Sequence, residues 1–345
     1  MISGRDPGST VLVTGGAGFI GSHTCVELLE NGHRVVVIDD HSNSTPASLE
    51  RVAKLTGRAV TAYTGDVRDR ALLDRVFEAQ RIDQVIHFAA RKAVGESVEF
   101  PLEYWDVNVG ATVALLQAMR DHGVRDLVFS SSCSVYGVAR RVPLTEEDPV
   151  APVNPYARTK SACEQILADA CRRHPEFRIL ALRYFNPAGA HPSGLLGEDP
   201  RGVPNNLMPY LTQVAIGRLD RLPVHGTDYP TPDGSCIRDY IHVVDVADGH
   251  RVALDHLADE TGVRVRNLGT GVGTSVLEVV SAFESATGRP IPVTTVGRRP
   301  GDVPVLVADP SRVAREWGWR TTRDVADMCA DAWRFQQLNP FGHAC

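Results

Sequence analysis

Five runs of β-branched and apolar residues recur along the first half of the chain: TVLVT (10–14), RVVVID (34–39), QVIHFAA (84–90), DLVFSSS (126–132) and RILALRYF (178–185). Longer stretches with helical periodicity separate them: about Phe19 to Asn31, ended by Gly32; DRALLDRVFEAQ; about Pro101 to His122; and a segment carrying Tyr156. AVTAYTGD (59–66) reads as one more strand. A strand that is apolar on successive residues has to be covered on both faces, and parallel strands need a crossover helix between them. The alternation therefore predicts an α/β fold built on a doubly wound parallel Rossmann-type sheet.

After Phe185 the texture changes. NPAGAHPSGLLGEDPRGVPNN is too rich in Gly, Pro and Asn for a long regular element. Shorter mixed elements follow, with helices expected near 206–217, 275–287 and 322–338. The expected organisation is a Rossmann domain over 9–185 and a smaller mixed α/β substrate domain over 186–338. Segment 239–258, a strand followed by a helix, reads as returning to the first domain.

Several classes of function are disfavoured. A formal charge of −6 and a pI near 6.1 give no footprint for nucleic acid. No run approaches the roughly 18 apolar residues of a membrane span, and MISGRDPGS lacks the apolar core of a secretory leader. A cytoplasmic protein with a dispensable nine-residue extension is expected. The seven cysteines are scattered without a C-x-x-C pair and the twelve histidines without an H-E-x-x-H spacing, so no disulfide framework and no metal site is expected.

GGAGFIG (15–21) joins the first strand to the first helix. Gly15, Gly18 and Gly21 suit a tight turn, close approach of a pyrophosphate, and close packing of helix on strand, and the helix N-terminus attracts the phosphates. Asp39 ends the second strand about 20 residues on, where a carboxylate accepts from an adenosine ribose. DHSNS, directly after it, holds no Arg or Lys to receive a 2′-phosphate, which favours NAD over NADP. Asp66 and the FAARK run also sit at strand carboxyl ends, where open parallel sheets bind ligands.

Tyr156 and Lys160 are four apart on one helical face. A phenol titrates near 10, so making it a base at neutral pH takes roughly 4 kcal/mol. One positive charge about 4 Å away supplies about that at an effective dielectric of 20. Lys160, aided by an oxidised nicotinamide, is thus suited to make Tyr156 a working base.

Taken with GGAGFIG and Asp39, SSSCSVYG (130–137) and Tyr156-x-x-x-Lys160 resemble the extended short-chain dehydrogenase/reductase family. Within it, HTCVELLENGH (23–33), KAVGESVEFPLEYW (92–105), RYFNPAGAHPSG (183–194), NNLMPY (205–210) and RDYIHVVDVADGH (238–250) are similar to the UDP-glucose 4-epimerases. The resemblance implies an isomerase of galactose metabolism that holds NAD tightly and acts on UDP-galactose and UDP-glucose, with Ser132, Tyr156 and Lys160 as its catalytic residues. It implies cofactor contacts at Phe19 and Ile20 beside the glycines, at Asp40, Asn43 and Ser44 after Asp39, and at Asp66 and Val67. Phe88, Ala89, Ala90, Lys92 and Phe185 complete that set. Substrate contacts are implied at Lys92, Ser132, Tyr156, Asn186, Asn206, Arg238, Arg299 and Asp302, the two arginines on the diphosphate and Asp302 on the uridine ribose.

Leu306 occupies the position that gates the sugar pocket in this family, where Tyr excludes N-acetyl sugars and a small residue admits them. Val107 departs from an Asn found near the cofactor in some bacterial members. The dehydratases of the family place an Asp-Glu pair after the serine, whereas Cys133 and Ser134 stand here, which favours epimerisation. A broader epimerase acting on UDP-N-acetylhexosamines and a non-catalytic NAD-binding sensor are the alternatives. The resemblance also implies a homodimer joined through the helices near 101–122 and 154–174.

Overall fold

The structure, a computed structural model, describes residues 8–343. Six strands appear in the order expected: β1 (Thr10–Thr14), β2 (Arg34–Asp39), β3 (Thr61–Thr64), β4 (Gln84–His87), β5 (Asp126–Ser132) and β6 (Arg178–Tyr184). Then come β7 (Asn186–Ala188), β8 (Leu222–His225), β9 (Ile237–His242), β10 (Gly262–Leu268), β11 (Gly273–Ser275), β12 (Val293–Val296) and β13 (Val305–Leu306). One seven-stranded sheet has the order β10-β6-β5-β4-β1-β2-β3, every neighbouring pair parallel. The order reverses at β1, whose partners are β2 and β4, so a crevice opens at the carboxyl ends of β1 and β4.

Alternate residues of each strand serve opposite cores. Val11, Val13, Val35 and Val37 pack with Leu28 of the Phe19–Glu30 helix and Leu254 of the Val243–His256 helix. Leu12, Val36 and Ile38 pack on the other face with Leu73, Leu115, Met119 and Leu167. Two findings modify the sequence reading. β10, which that reading did not name, forms the last strand of this sheet. β3 is not covered on both faces: as the outer strand it leaves Thr61, Ala62 and Thr64 exposed.

The stretch expected as one helix from 101 to 122 is helical throughout but changes pitch, with a π-helical turn over Trp105–Val109 between Pro101–Tyr104 and Gly110–Asp121. Such a turn inserts an extra residue and rotates the side chains beyond it. The remaining strands form two small sheets, β9 pairing β7, β11 and β13, and β12 pairing β8. They pack with the Leu207–Ala215, Val276–Thr287 and Val325–Leu338 helices around Leu211, Val279, Phe283, Met328 and Trp333. Ser275 and Glu278 form a reciprocal capping box on the second of these helices, which ends at Gly288 with φ 65°.

Residues 1–7 of the expected extension lie outside the described residues, and Ser9 is bonded to the start of β2 and the residue before it. Its carbonyl accepts from Arg34 N at 3.0 Å and its hydroxyl lies 2.8 Å from His33 Nδ1. No helix among the described residues is long and apolar enough to cross a membrane, and no acidic, His or Cys group among them has metal-holding geometry.

Leu254, 1% exposed, tests whether the late helix belongs to the first core. Leu254→Ala is expected to cost about 2–5 kcal/mol in urea unfolding; a loss below about 0.5 kcal/mol would mean the helix lies outside that core.

Candidate active site

The turn after β1 is built so that a side chain fits at few of its positions. Gly15 has φ 71°, and a Cβ there would lie 2.7 Å from Ala89 N. A Cβ on Gly21 would lie 2.2 Å from Gly15 O, inside the contact that lets the first helix sit against the strand. Gly18 caps that helix without any side-chain bond, which leaves the first-turn N–H groups to an external acceptor. This cradle fits the pyrophosphate of a dinucleotide.

Asp39 is buried at the end of β2 and fixes the turn from behind: Oδ2 accepts from Ala17 N at 2.9 Å. Its Oδ1 accepts from His41 N at 2.9 Å and Ser44 Oγ at 2.7 Å. His41 takes φ 55°, a backbone state uncommon outside glycine. Asp40 is exposed and turns its carboxylate onto Ser42 N and Oγ, and Asn43 is exposed beside it. DHSNS itself holds no Arg or Lys, as the sequence reads, and Arg201, 157 residues on, donates Nη2 to the Ser44 carbonyl at 2.9 Å. Asp66 grips Arg68 through both oxygens, and that guanidinium, which also pairs with Asp106, holds its carboxyl below the usual range. Val67 is buried below it.

β5 delivers Ser132 and the Pro155–Arg173 helix delivers Tyr156 and Lys160. The helix starts where Asn154 Oδ1 accepts from Ala157 N at 2.9 Å, with Pro155 at its first position. Ser134 donates N–H and Oγ–H to Ser132 Oγ at 3.2 and 2.9 Å. Burial pushes the Tyr156 phenol up to about 12, its hydrogen bond with Ser132 pulling the other way. Lys160, 4% exposed, donates Nζ to Ser130 O at 2.7 Å and lies over the Phe129 ring at 5.0 Å. Burial pushes its ammonium down to about 8. His87 is held neutral beneath it, burial first and the Lys160 charge second lowering it to about 3. The protein by itself therefore leaves the phenol protonated at neutral pH.

Of the substrate residues expected, Arg238, Arg299 and Asp302 come together. Arg299 binds Asp302 through Nε and Nη2 at 3.1 and 3.2 Å, and Arg238 Nη2 is 4.0 Å from the same carboxylate. β13 pairs with β9 so that Leu306 is in register with Arg238. Leu306 is buried in one cluster with Cys133, Tyr136 and Phe185, next to Ser132. Asn186 opens β7, paired with Tyr240. Phe88, Ala89 and Ala90 are half-buried at the carboxyl end of β4, with Phe88 N bonded to Thr14 O at 3.0 Å. Phe19 and Ile20 are half-buried in the first turn of their helix, and Lys92 and Asn206 both donate to Glu198, at 2.8 and 2.6 Å.

Three residues that position this site were not singled out from the sequence. Asn108 Oδ1 accepts from Arg91 N at 2.8 Å, and its Nδ2 donates to Arg91 O and Thr159 Oγ1. The signal was an amide on the buried stripe of Tyr104, Ala111 and Leu115. Glu164 accepts from Arg183 through both oxygens and from Ser131 Oγ at 2.6 Å, tying the Tyr156 helix to β5 and β6. It continues the i, i+4 face of Tyr156 and Lys160 by one more turn. Glu198 lay in a stretch with no periodicity to read.

The unfolded Lys160 titrates at 10.5 and the folded one at about 8. Between these values the unfolded chain binds the additional proton, so this group makes stability rise with pH from about 8 to 10.5, by on the order of 3 kcal/mol. Lys160→Met is expected to remove that rise. A wild-type minus variant difference in urea stability that stays constant across the window would contradict the buried ammonium.

The family model for GDP-mannose 4,6 dehydratase matches residues 12–332. The UDP-glucose 4-epimerase of Bacillus subtilis is 53% identical over 333 residues, 96% of this chain and 98% of that one. The structure of the Bifidobacterium longum UDP-glucose 4-epimerase in complex with NAD+ and UDP has TM-score 0.95 and 52% identity, covering 97% of this chain and 100% of that one. The Stenotrophomonas UDP-glucose-4-epimerase with bound NAD and formylated UDP-arabinopyranose has TM-score 0.93 and 49% identity, covering 96% and 99%. With near-complete coverage at this identity, on the same fold, the chain belongs to the UDP-glucose 4-epimerase family.

Proposed function

We propose that this protein interconverts UDP-galactose and UDP-glucose through a transient 4-keto sugar, retaining NAD throughout. The observations that carry the reading are Lys160 buried one helical turn from Tyr156, Leu306 packed with Cys133 next to Ser132 and in register with Arg238 of the Arg238–Arg299–Asp302 cluster, and a glycine cradle of dinucleotide shape after β1. Two relatives of the same fold were solved with NAD and a uridine nucleotide or nucleotide sugar.

Bound NAD supplies the hydride acceptor, and its positive ring adds to the charge of Lys160. The protein's part is proton transfer and placement. Tyr156 takes the proton of the sugar 4-hydroxyl, and Ser132 steadies that proton through the hydrogen bond it shares with the phenol. Lys160 favours the phenolate by its charge and holds the cofactor ribose. Arg238 and Arg299 take the diphosphate by bidentate guanidinium contacts, so the hexose end stays free to turn and expose its other face. Tyr156 then returns the proton.

The residues after Ser132 set this apart from dehydration. Burial pushes the Cys133 thiol up to about 12, and the Ser134 hydroxyl is spent on Ser132, so neither offers the acid and base that water loss requires. A sensor without chemistry would have no use for a buried Lys160 beside Tyr156. The same reading includes a homodimer. Phe100, Leu102 and Trp105 expose 46%, 77% and 39% of their surface where one of the two expected interface helices begins, and an apolar patch of that kind is the usual mark of a covered face.

Tyr156→Phe is expected to lower kcat about 10²–10⁴-fold while the protein keeps its NAD, since it removes the base and almost no volume. Turnover near wild type with UDP-galactose would reject the assignment. Leu306, smaller than the Tyr that closes this pocket in the stricter relatives, favours some turnover of N-acetylated UDP-sugars. Leu306→Tyr is expected to suppress that activity and spare UDP-galactose; equal losses on both would show that Leu306 is no gate.

A further inference from the structure

Glu198 stands in the loop between β7 and the Leu207–Ala215 helix, with its side chain only 7% exposed. One oxygen, Oε1, accepts from Lys92 Nζ at 2.8 Å and from Asn206 Nδ2 at 2.6 Å. The other, Oε2, is buried with no partner among the described residues. Asn206 precedes the helix at its capping position, yet its side chain makes no capping bond. Its amide is directed at Glu198 instead. The loop is tethered to the large-sheet half twice more, by Arg51 Nη1 on Leu195 O and Arg201 Nη2 on Ser44 O, both at 2.9 Å. Asp199 faces the other way and accepts from His343 N at 2.7 Å.

We propose that Glu198 is a positioning residue for the reaction: one carboxylate oxygen holds Lys92, on the cofactor side of the crevice, against Asn206, on the substrate side. The inference rests on the functional reading above together with the contacts the family resemblance implies, Lys92 with cofactor and substrate and Asn206 with substrate. A carboxylate attracts the NH2 end of an amide and repels its oxygen, so Glu198 fixes which way Asn206 is turned. With Nδ2 committed, Asn206 presents Oδ1, which has no donor among the described residues, as an acceptor for a substrate O–H or N–H. Free rotation of that amide would offer donor and acceptor in turn and weaken binding. Because Lys92 shares the oxygen, the spacing of the two sides is fixed by the same contact.

The test compares wild type with Glu198→Gln, Glu198→Ala, Asn206→Ala and the Glu198→Ala/Asn206→Ala double variant. The readouts are UDP binding by calorimetry, kcat and KM for UDP-galactose, NAD content and melting temperature. Glu198→Ala is expected to weaken UDP and raise KM about tenfold with kcat within about threefold, the pattern of lost placement rather than lost chemistry. Glu198→Gln, whose carbonyl still accepts from Asn206, is expected to recover part of the loss. In the Asn206→Ala background the Glu198→Ala change should cost clearly less than it does in wild type, the remainder reporting the release of Lys92. Wild-type KM in Glu198→Ala, a lowered melting temperature as its sole effect, or fully multiplicative losses in the double variant would each overturn the inference. Wild type that neither binds UDP nor converts UDP-galactose overturns the functional reading and this inference together; conversion by wild type with an unaffected Glu198→Ala overturns the inference alone.

Discussion

The arrangement of the site depends on one buried ammonium. Lys160 has lost nearly all contact with water and keeps a single strong protein acceptor, the Ser130 carbonyl at 2.7 Å. A buried charge with so little compensation raises the free energy of its own protonated state, which is why its pKa falls. The same burial raises the Tyr156 phenol, so the two shifts oppose rather than assist each other in the isolated polypeptide. A second positive group beside the pair is what such a site lacks, and the glycine cradle opens at the end of β1, two strands from β5 in the sheet. In the proposed mechanism, cofactor binding and activation of Tyr156 are in this way one requirement.

The fold meets the mechanical side of that requirement. The reversal of strand order at β1 opens the crevice, and the parallel register brings β4, β5 and β6 to end on one side of it. Glu164, clamped by Arg183 and Ser131, prevents the Tyr156 helix from sliding along β5. Asn108 secures the Arg91 backbone, one residue before Lys92, and reaches Thr159, one residue before Lys160. These polar contacts are buried and fully directional, so small errors in placement are costly. In the proposed mechanism they hold Tyr156 and Lys160 in place while the sugar end of the substrate turns.

Much of this was legible from residue pattern. The all-apolar strands announced a sheet covered on both faces, and GGAGFIG placed the cradle and Asp39 the acid at the end of the second strand, because glycine turns and strand-end acids are local features; that Asp39 also braces the turn through Ala17 N was not legible. Tyr156 and Lys160 were legible for the same reason, being one helical turn apart. Contacts set by long-range packing were not. Nothing near Ser44 in sequence predicts Arg201, and nothing in a Gly- and Pro-rich loop predicts that Glu198 faces inward. β10 was missed because Arg264 and Arg266 interrupt its apolar run, and only the fold shows Arg266 paired with Glu260 and Glu316. The exposure of β3 follows from its place at the sheet edge, which no residue in it encodes.

The central claim is that a single polypeptide with its own retained NAD inverts C4 of a UDP-hexose. The most direct measurement is to incubate the purified protein with UDP-galactose, adding no cofactor, and to separate the products by chromatography. The account predicts that UDP-glucose accumulates to a constant ratio with no net oxidised sugar. Unchanged UDP-galactose, with NAD supplied as well as without it, would contradict the account.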